Sequence, residues 1–148
     1  MCFGYSGGSV TRVAIVEDLE EIRAGLALLI SGAEGFLCTA KYRTMEEAIA
    51  GIRASRPDVV LVDIGLPGMS GIEGIRILTK EFPNLLSIVL MVYRDDERIF
   101  NALCAGACGY LLKKTPAAEL VQAIREAVNG GGLPTVESSV FSLVTDSS

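Results

Sequence analysis

Asp58-Val59-Val60-Leu61-Val62-Asp63-Ile64-Gly65-Leu66-Pro67-Gly68-Met69-Ser70-Gly71 decides the fold of this chain. Four consecutive apolar residues, three of them Val, stand between two acids. A run that short, with no polar alternation, reads as a strand covered on both faces. Asp63 stands where the apolar run stops and a Gly/Pro loop begins. In an open parallel sheet, ligands bind outside the carboxyl ends of the strands. Asp63 is therefore the centre of a candidate site.

Working back from it, Arg12 to Val16 is a second short apolar run, and it ends at Glu17-Asp18. Between the two runs, Ile22, Leu26, Leu29 and Ile30 fall on one face of a helix over Glu20 to Ser31, with Gly32 as its stop. Phe36 to Lys41 reads as a weaker strand. Thr44-Met45-Glu46-Glu47 is a capping-box pattern, opening a helix with Met45, Ala48, Ile49 and Ile52 as its apolar stripe. Pro57 breaks that helix before the central strand.

Working forward, Ile72, Ile75 and Leu78 mark a third helix that ends near Pro83. Ser87 to Val92 reads as a fourth strand. Asp95 and Asp96 open a fourth helix, where acids suit the dipole, with Ile99, Phe100 and Leu103 facing inward. Gly109 to Leu112 is a fifth strand, followed by Lys113-Lys114. Thr115-Pro116 reads as N-cap and first residue of a last helix. Leu120, Ile124, Ala127 and Val128 form its stripe, and Gly130-Gly131-Gly132 ends it. Strand and helix thus alternate five times, which specifies an α/β fold: a doubly wound, five-stranded parallel sheet with helices on both faces.

The totals fit one domain: 148 residues, half of them apolar. No apolar run approaches the roughly 18 residues of a membrane helix, and residues 1–11, Gly/Ser-rich, lack the features of a secretory signal. They read as a flexible segment. The net charge of −5 argues against direct nucleic-acid binding. The chain has no histidine, which removes Ser-His and Cys-His nucleophile pairs and most zinc sites. Cys2, Cys38, Cys104 and Cys108 form no C-x-x-C pair; the last three lie in apolar patterns and read as small buried hydrophobes. A reducing, cytoplasmic location is expected.

Three strand ends carry charge: Glu17-Asp18, Asp63 and Lys113. In a parallel sheet these ends share one edge. Two like charges about 4 Å apart repel by on the order of 4 kcal/mol at an effective dielectric near 20. Acids gathered in this way need a counter-charge, and a hard divalent ion such as Mg²⁺ would supply it. Lys113 adds a fixed positive charge for an anion. Carboxylates, a divalent ion and a lysine together describe a phosphoryl-handling site with an Asp nucleophile. Asp18 or Asp63 alone would more often be a helix cap or a solvated acid.

Val16-Glu17-Asp18, Val62-Asp63-Ile64-Gly65-Leu66-Pro67-Gly68-Met69-Ser70-Gly71 and Ala107-Cys108-Gly109-Tyr110-Leu111-Leu112-Lys113 together resemble the receiver domain of bacterial two-component response regulators. The resemblance is closest to the NarL/FixJ group, whose output is a LuxR-type helix-turn-helix domain, and it covers about residues 12–132. It implies a flavodoxin-like fold and a switch that controls a DNA-binding output. Asp63 would accept a phosphoryl group from a sensor histidine kinase. Glu17, Asp18 and Asp63 would hold Mg²⁺ with the Gly65 backbone carbonyl. Lys113 would pair with the acceptor carboxylate and then with the phosphoryl oxygens. Tyr110 would be the aromatic that reports the phosphorylated state. The chain would catalyse only its own phosphorylation and dephosphorylation. DNA would be met only through an output domain outside this chain, to which residues 133–148 would lead as a linker. Either the fourth helix, fifth strand and fifth helix, or the first and fifth helices, could form a homodimer face.

One position departs. Where the family has a Thr or Ser at the end of the fourth strand, this chain has Met91, which carries no hydroxyl. Met91 therefore raises an alternative: a protein-interaction module of receiver fold whose phosphoryl switch is impaired. Asp-nucleophile phosphatases have a similar loop but need a second acid two residues on, where Gly65 stands.

Overall fold

The computed structural model describes residues 10–131. The expected flexible segment and linker therefore lie almost wholly outside the described residues, as does Cys2. Five strands and five helices alternate: β1 (Thr11–Val16), α1 (Glu20–Ser31), β2 (Phe36–Tyr42), α2 (Met45–Ala54), β3 (Val59–Asp63), α3 (Gly71–Glu81), β4 (Leu86–Met91), α4 (Asp96–Ala105), β5 (Gly109–Leu112) and α5 (Ala117–Glu126). A π-helical turn, Ala127–Gly131, continues α5.

The strands form one parallel sheet in the order β2-β1-β3-β4-β5. The central β3 run is buried from end to end. Val60 and Val62 pack into one apolar cluster with α2, α3 and α4, while Val59 and Leu61 pack into a second with α1 and α5. The sheet is thus covered on both faces, as the unbroken apolar run requires. Thr44 caps α2 by accepting the Glu47 N–H, and Ser70 and Asp95 cap α3 and α4 in the same way.

Four local expectations are corrected. Phe100 is 60% exposed, because Ile99, Ala102 and Ala105 define the buried face of α4, with Leu103 partly buried beside them, and the residue after Ile99 points about 100° away. Cys104, next to Leu103, is exposed for the same reason. Pro116, with ψ 145°, is the N-cap residue of α5 rather than its first helical residue. The chain must first complete a turn after β5, closed by the Thr115 N–H on the Leu112 carbonyl at 3.0 Å. Strand β4 starts at Leu86 and ends at Met91, leaving Val92 exposed.

The loop after β3 returns close to the strand it left. A Cβ on Gly71 would lie 2.6 Å from the Asp63 carbonyl oxygen and 2.9 Å from Val62 Cγ1. The main-chain oxygen cannot swing aside as a side chain would. Gly71→Ala is therefore expected to lower stability by about 1–3 kcal/mol in urea unfolding. Gly25→Ala, on an open face of α1 with nothing within 4 Å, is expected to raise it by about 0.5–1 kcal/mol. Equal effects at the two positions would contradict the close return of the loop.

Candidate functional site

The register of the sheet assembles the site. Val16 pairs with Val62 and Asp63 with Leu90, so the ends of β1, β3 and β4 lie side by side. Glu17 follows β1 directly and is fully buried; Asp18 beside it is exposed; Asp63, the last residue of β3, is 7% exposed. One carboxylate oxygen from each lies within 4.8 Å of the others, a grouping that could hold a metal ion. Lys113 enters from β5. Its backbone N–H donates to the Met91 carbonyl at 2.8 Å, which fixes it at the end of β4. Its ammonium then stands 2.7 Å from Glu17 Oε1 and 3.3 Å from Asp63 Oδ2. The structure thus brings together Glu17, Asp18, Asp63 and Lys113.

Backbone donors hold the carboxylates. Glu17 Oε2 accepts the Leu19 N–H at 3.1 Å, and Asp63 Oδ1 accepts the Gly65 N–H at 3.1 Å. The second bond turns the start of the loop toward Asp63 and keeps Gly65 beside the acids. Arg23, which sequence reasoning did not single out, donates from Nη1 to the Glu17 carbonyl at 2.8 Å and to the Asp18 carbonyl at 3.5 Å. It pins the acid pair to α1. A cation near a helix N-terminus runs against the dipole. That was the available signal, and the two carbonyls explain why Arg23 stands there.

The charges do not cancel within the protein. Three carboxylates face one ammonium, so two negative charges are left over. Burial pushes the Glu17 carboxyl above its ordinary value, and the Asp63 charge adds to this. The hydrogen bonds from Lys113 and from the Leu19 N–H oppose it without reversing it. Burial also acts against the Lys113 ammonium, but the hydrogen bond to Glu17 and the nearby Asp63 carboxylate outweigh it and hold its pKa above the usual value. A divalent cation would supply the charge the cluster lacks. An all-carboxylate donor set with one exposed member, Asp18, suits a hard ion that keeps some of its water.

Met91 and Tyr110 contribute no side chain to the carboxylate–lysine cluster. Met91 is buried and borders a cleft of about 360 Å³, also lined by Asp63, Gly65, Tyr93, Arg94, Asp95 and Arg98. No hydroxyl from β4 lines this cleft; Tyr93, just past the strand, is 79% exposed. Tyr110, on the edge strand β5, pairs with Val89 and is partly buried against the α2–α4 side of the core.

Residues 13–125 match the response regulator receiver domain family. Among curated relatives, the DNA-binding transcriptional activator DevR/DosR of Mycobacterium tuberculosis is 34% identical over 124 residues, covering 84% of this chain and 57% of the relative. The transcriptional regulatory protein LiaR of Bacillus subtilis is 34% identical over 129 residues, covering 87% and 60%. The chain thus spans little more than half the length of these relatives. Among solved structures, a LuxR-family two-component response regulator from Aurantimonas sp. SI85-9A1 superposes with TM-score 0.78 at 32% identity, covering 82% of this chain and 87% of that one. With the parallel sheet, the acid cluster at its edge and these likenesses in hand, the chain belongs to the response regulator receiver domain family, among regulators of the LuxR family.

Proposed function

We propose that this chain is the phosphoacceptor domain of a cytoplasmic two-component regulator, that Asp63 takes a phosphoryl group from a sensor histidine kinase with Mg²⁺ bound, and that the modification controls a transcriptional output. The observation that carries this reading is the Lys113 ammonium bridging Glu17 and Asp63 beside exposed Asp18. Asp18 and Asp63 would ligate the ion, with Glu17 behind them and the Gly65 carbonyl completing the protein's share. When bound, the ion neutralises charge on the phosphoryl oxygens. A carboxylate oxygen of Asp63 attacks phosphorus, the P–N bond of the kinase phosphohistidine breaks, and the imidazole leaves and takes up a proton. Lys113, already 3.3 Å from Asp63 Oδ2, then follows the charge onto the new phosphoryl oxygens. No general acid faces this group from position 65, so the domain modifies itself rather than turning over substrates.

Met91 favours a second reading, an interaction module with a weakened switch. A hydrogen bond to a charged group is worth about 1.5–3 kcal/mol. Its loss would cut the bias toward the active conformation by about tenfold or more without touching the acceptor.

The test is intact-mass spectrometry after incubation with acetyl phosphate. The expected result is one phosphoryl group, formed only with Mg²⁺ and mapped to Asp63. An unmodified chain with Mg²⁺ present would overturn the proposal. A modified chain whose partner binding or oligomeric state does not respond would favour the interaction module.

A further inference from the structure

The cleft beside Asp63 holds a cation that the metal-and-lysine arrangement does not use. Glu17, Asp18 and Lys113 do not line it; it lies on the β4–α4 side and is bounded by Met91, Arg94, Asp95 and Arg98. We infer that Arg98 is a phosphoryl-binding residue: its guanidinium turns into this cleft and donates to the phosphoryl group on Asp63, supplying from α4 the contact that Met91 cannot give from β4. This rests on the proposed phosphorylation of Asp63.

The position of Arg98 allows the movement. It lies in the first turn of α4, where its backbone N–H donates to Asp95 Oδ1 at 3.1 Å, so the helix end is fixed without the guanidinium. Its side chain is 56% exposed and meets Asp95 Oδ2 only at 3.7 Å. That distance is beyond a good hydrogen bond. Arg94 lines the same cleft, but its Nε is held by Asp96 at 2.9 Å and its side chain is 26% exposed, half the figure for Arg98. An aspartyl phosphate would bring more charge than Asp95 presents. Guanidinium also suits the planar, paired donation that phosphoryl oxygens accept. Exchange of a long ion pair for a short charged one would then couple the modification to the start of α4. Met91, buried at the mouth of β4, closes off the position from which a strand hydroxyl would otherwise reach in.

The experiment is titration of the whole chain with beryllofluoride and Mg²⁺, followed by fluorine NMR. Arg98→Ala is expected to weaken the adduct about tenfold, and Arg98→Lys to weaken it less. Mg²⁺ affinity without beryllofluoride should be the same in all variants, which a merely structural role would not predict. Adding Met91→Thr should rescue Arg98→Ala by more than it improves the wild type, because one contact then replaces the other. Equal adduct affinity in wild type and Arg98→Ala would overturn the role of Arg98 alone. No adduct on the wild type would overturn the phosphoryl reading itself, and this inference with it.

Discussion

Lys113→Ala is expected to lower stability by about 3–5 kcal/mol at neutral pH, the usual cost of stranding a buried charge. Glu17 is fully buried, and among the described residues Lys113 supplies the side-chain cation paired with it, at 2.7 Å. Burial already holds the Glu17 carboxyl above its ordinary value. Without the ammonium, its pKa rises further. The unfolded chain then releases the Glu17 proton at a lower pH than the folded one, so stability falls as pH rises through that interval. In acid, where Glu17 is protonated in both states, the penalty should vanish. Urea unfolding of wild type and variant at acid and neutral pH checks this, and Mg²⁺ should restore part of the loss. A deficit independent of pH would mean that Lys113 acts through packing of its stem, not through charge.

Asp63→Asn separates stability from chemistry. The amide keeps an oxygen to accept the Gly65 N–H, which now donates to Asp63 Oδ1 at 3.1 Å. It also removes one of the like charges that push up Glu17. Lys113 keeps Glu17 as a partner at 2.7 Å. Without Mg²⁺ the variant should therefore unfold at the same denaturant concentration as the wild type, or a higher one. Phosphoryl uptake, by contrast, should fall to nothing, because an amide is no nucleophile at this pH. Uptake that survives would place the acceptor elsewhere. A variant much less stable than the wild type would show that Asp63 is needed for the fold rather than held against repulsion.

Much of this was legible in the sequence because it depended on local pattern. Val59 to Val62 could only be a strand covered twice, and the Met45, Ala48, Ile49, Ile52 stripe is buried throughout. The convergence of Glu17, Asp18, Asp63 and Lys113 followed from parallel strands sharing one edge. The strand order did not follow, since alternation of strand and helix fixes direction but not neighbours. Phe100 and Cys104 were misread because an apolar residue beside a stripe looks like part of it; only the rotation per residue excludes it. Arg23 left only the mark of a cation near the N-terminus of α1, since the two carbonyls it meets are set by the fold, and the cleft that Arg98 lines leaves no mark in the order of residues.

Glu17, Asp18 and Asp63, only partly offset by Lys113, are proposed to form a site for a divalent ion. Isothermal titration of the chain with Mg²⁺ tests this central claim most directly. One saturable site is expected, abolished by Asp18→Asn and sharply weakened by Asp63→Asn. Heat that never saturates, or binding that both variants leave unchanged, would contradict it.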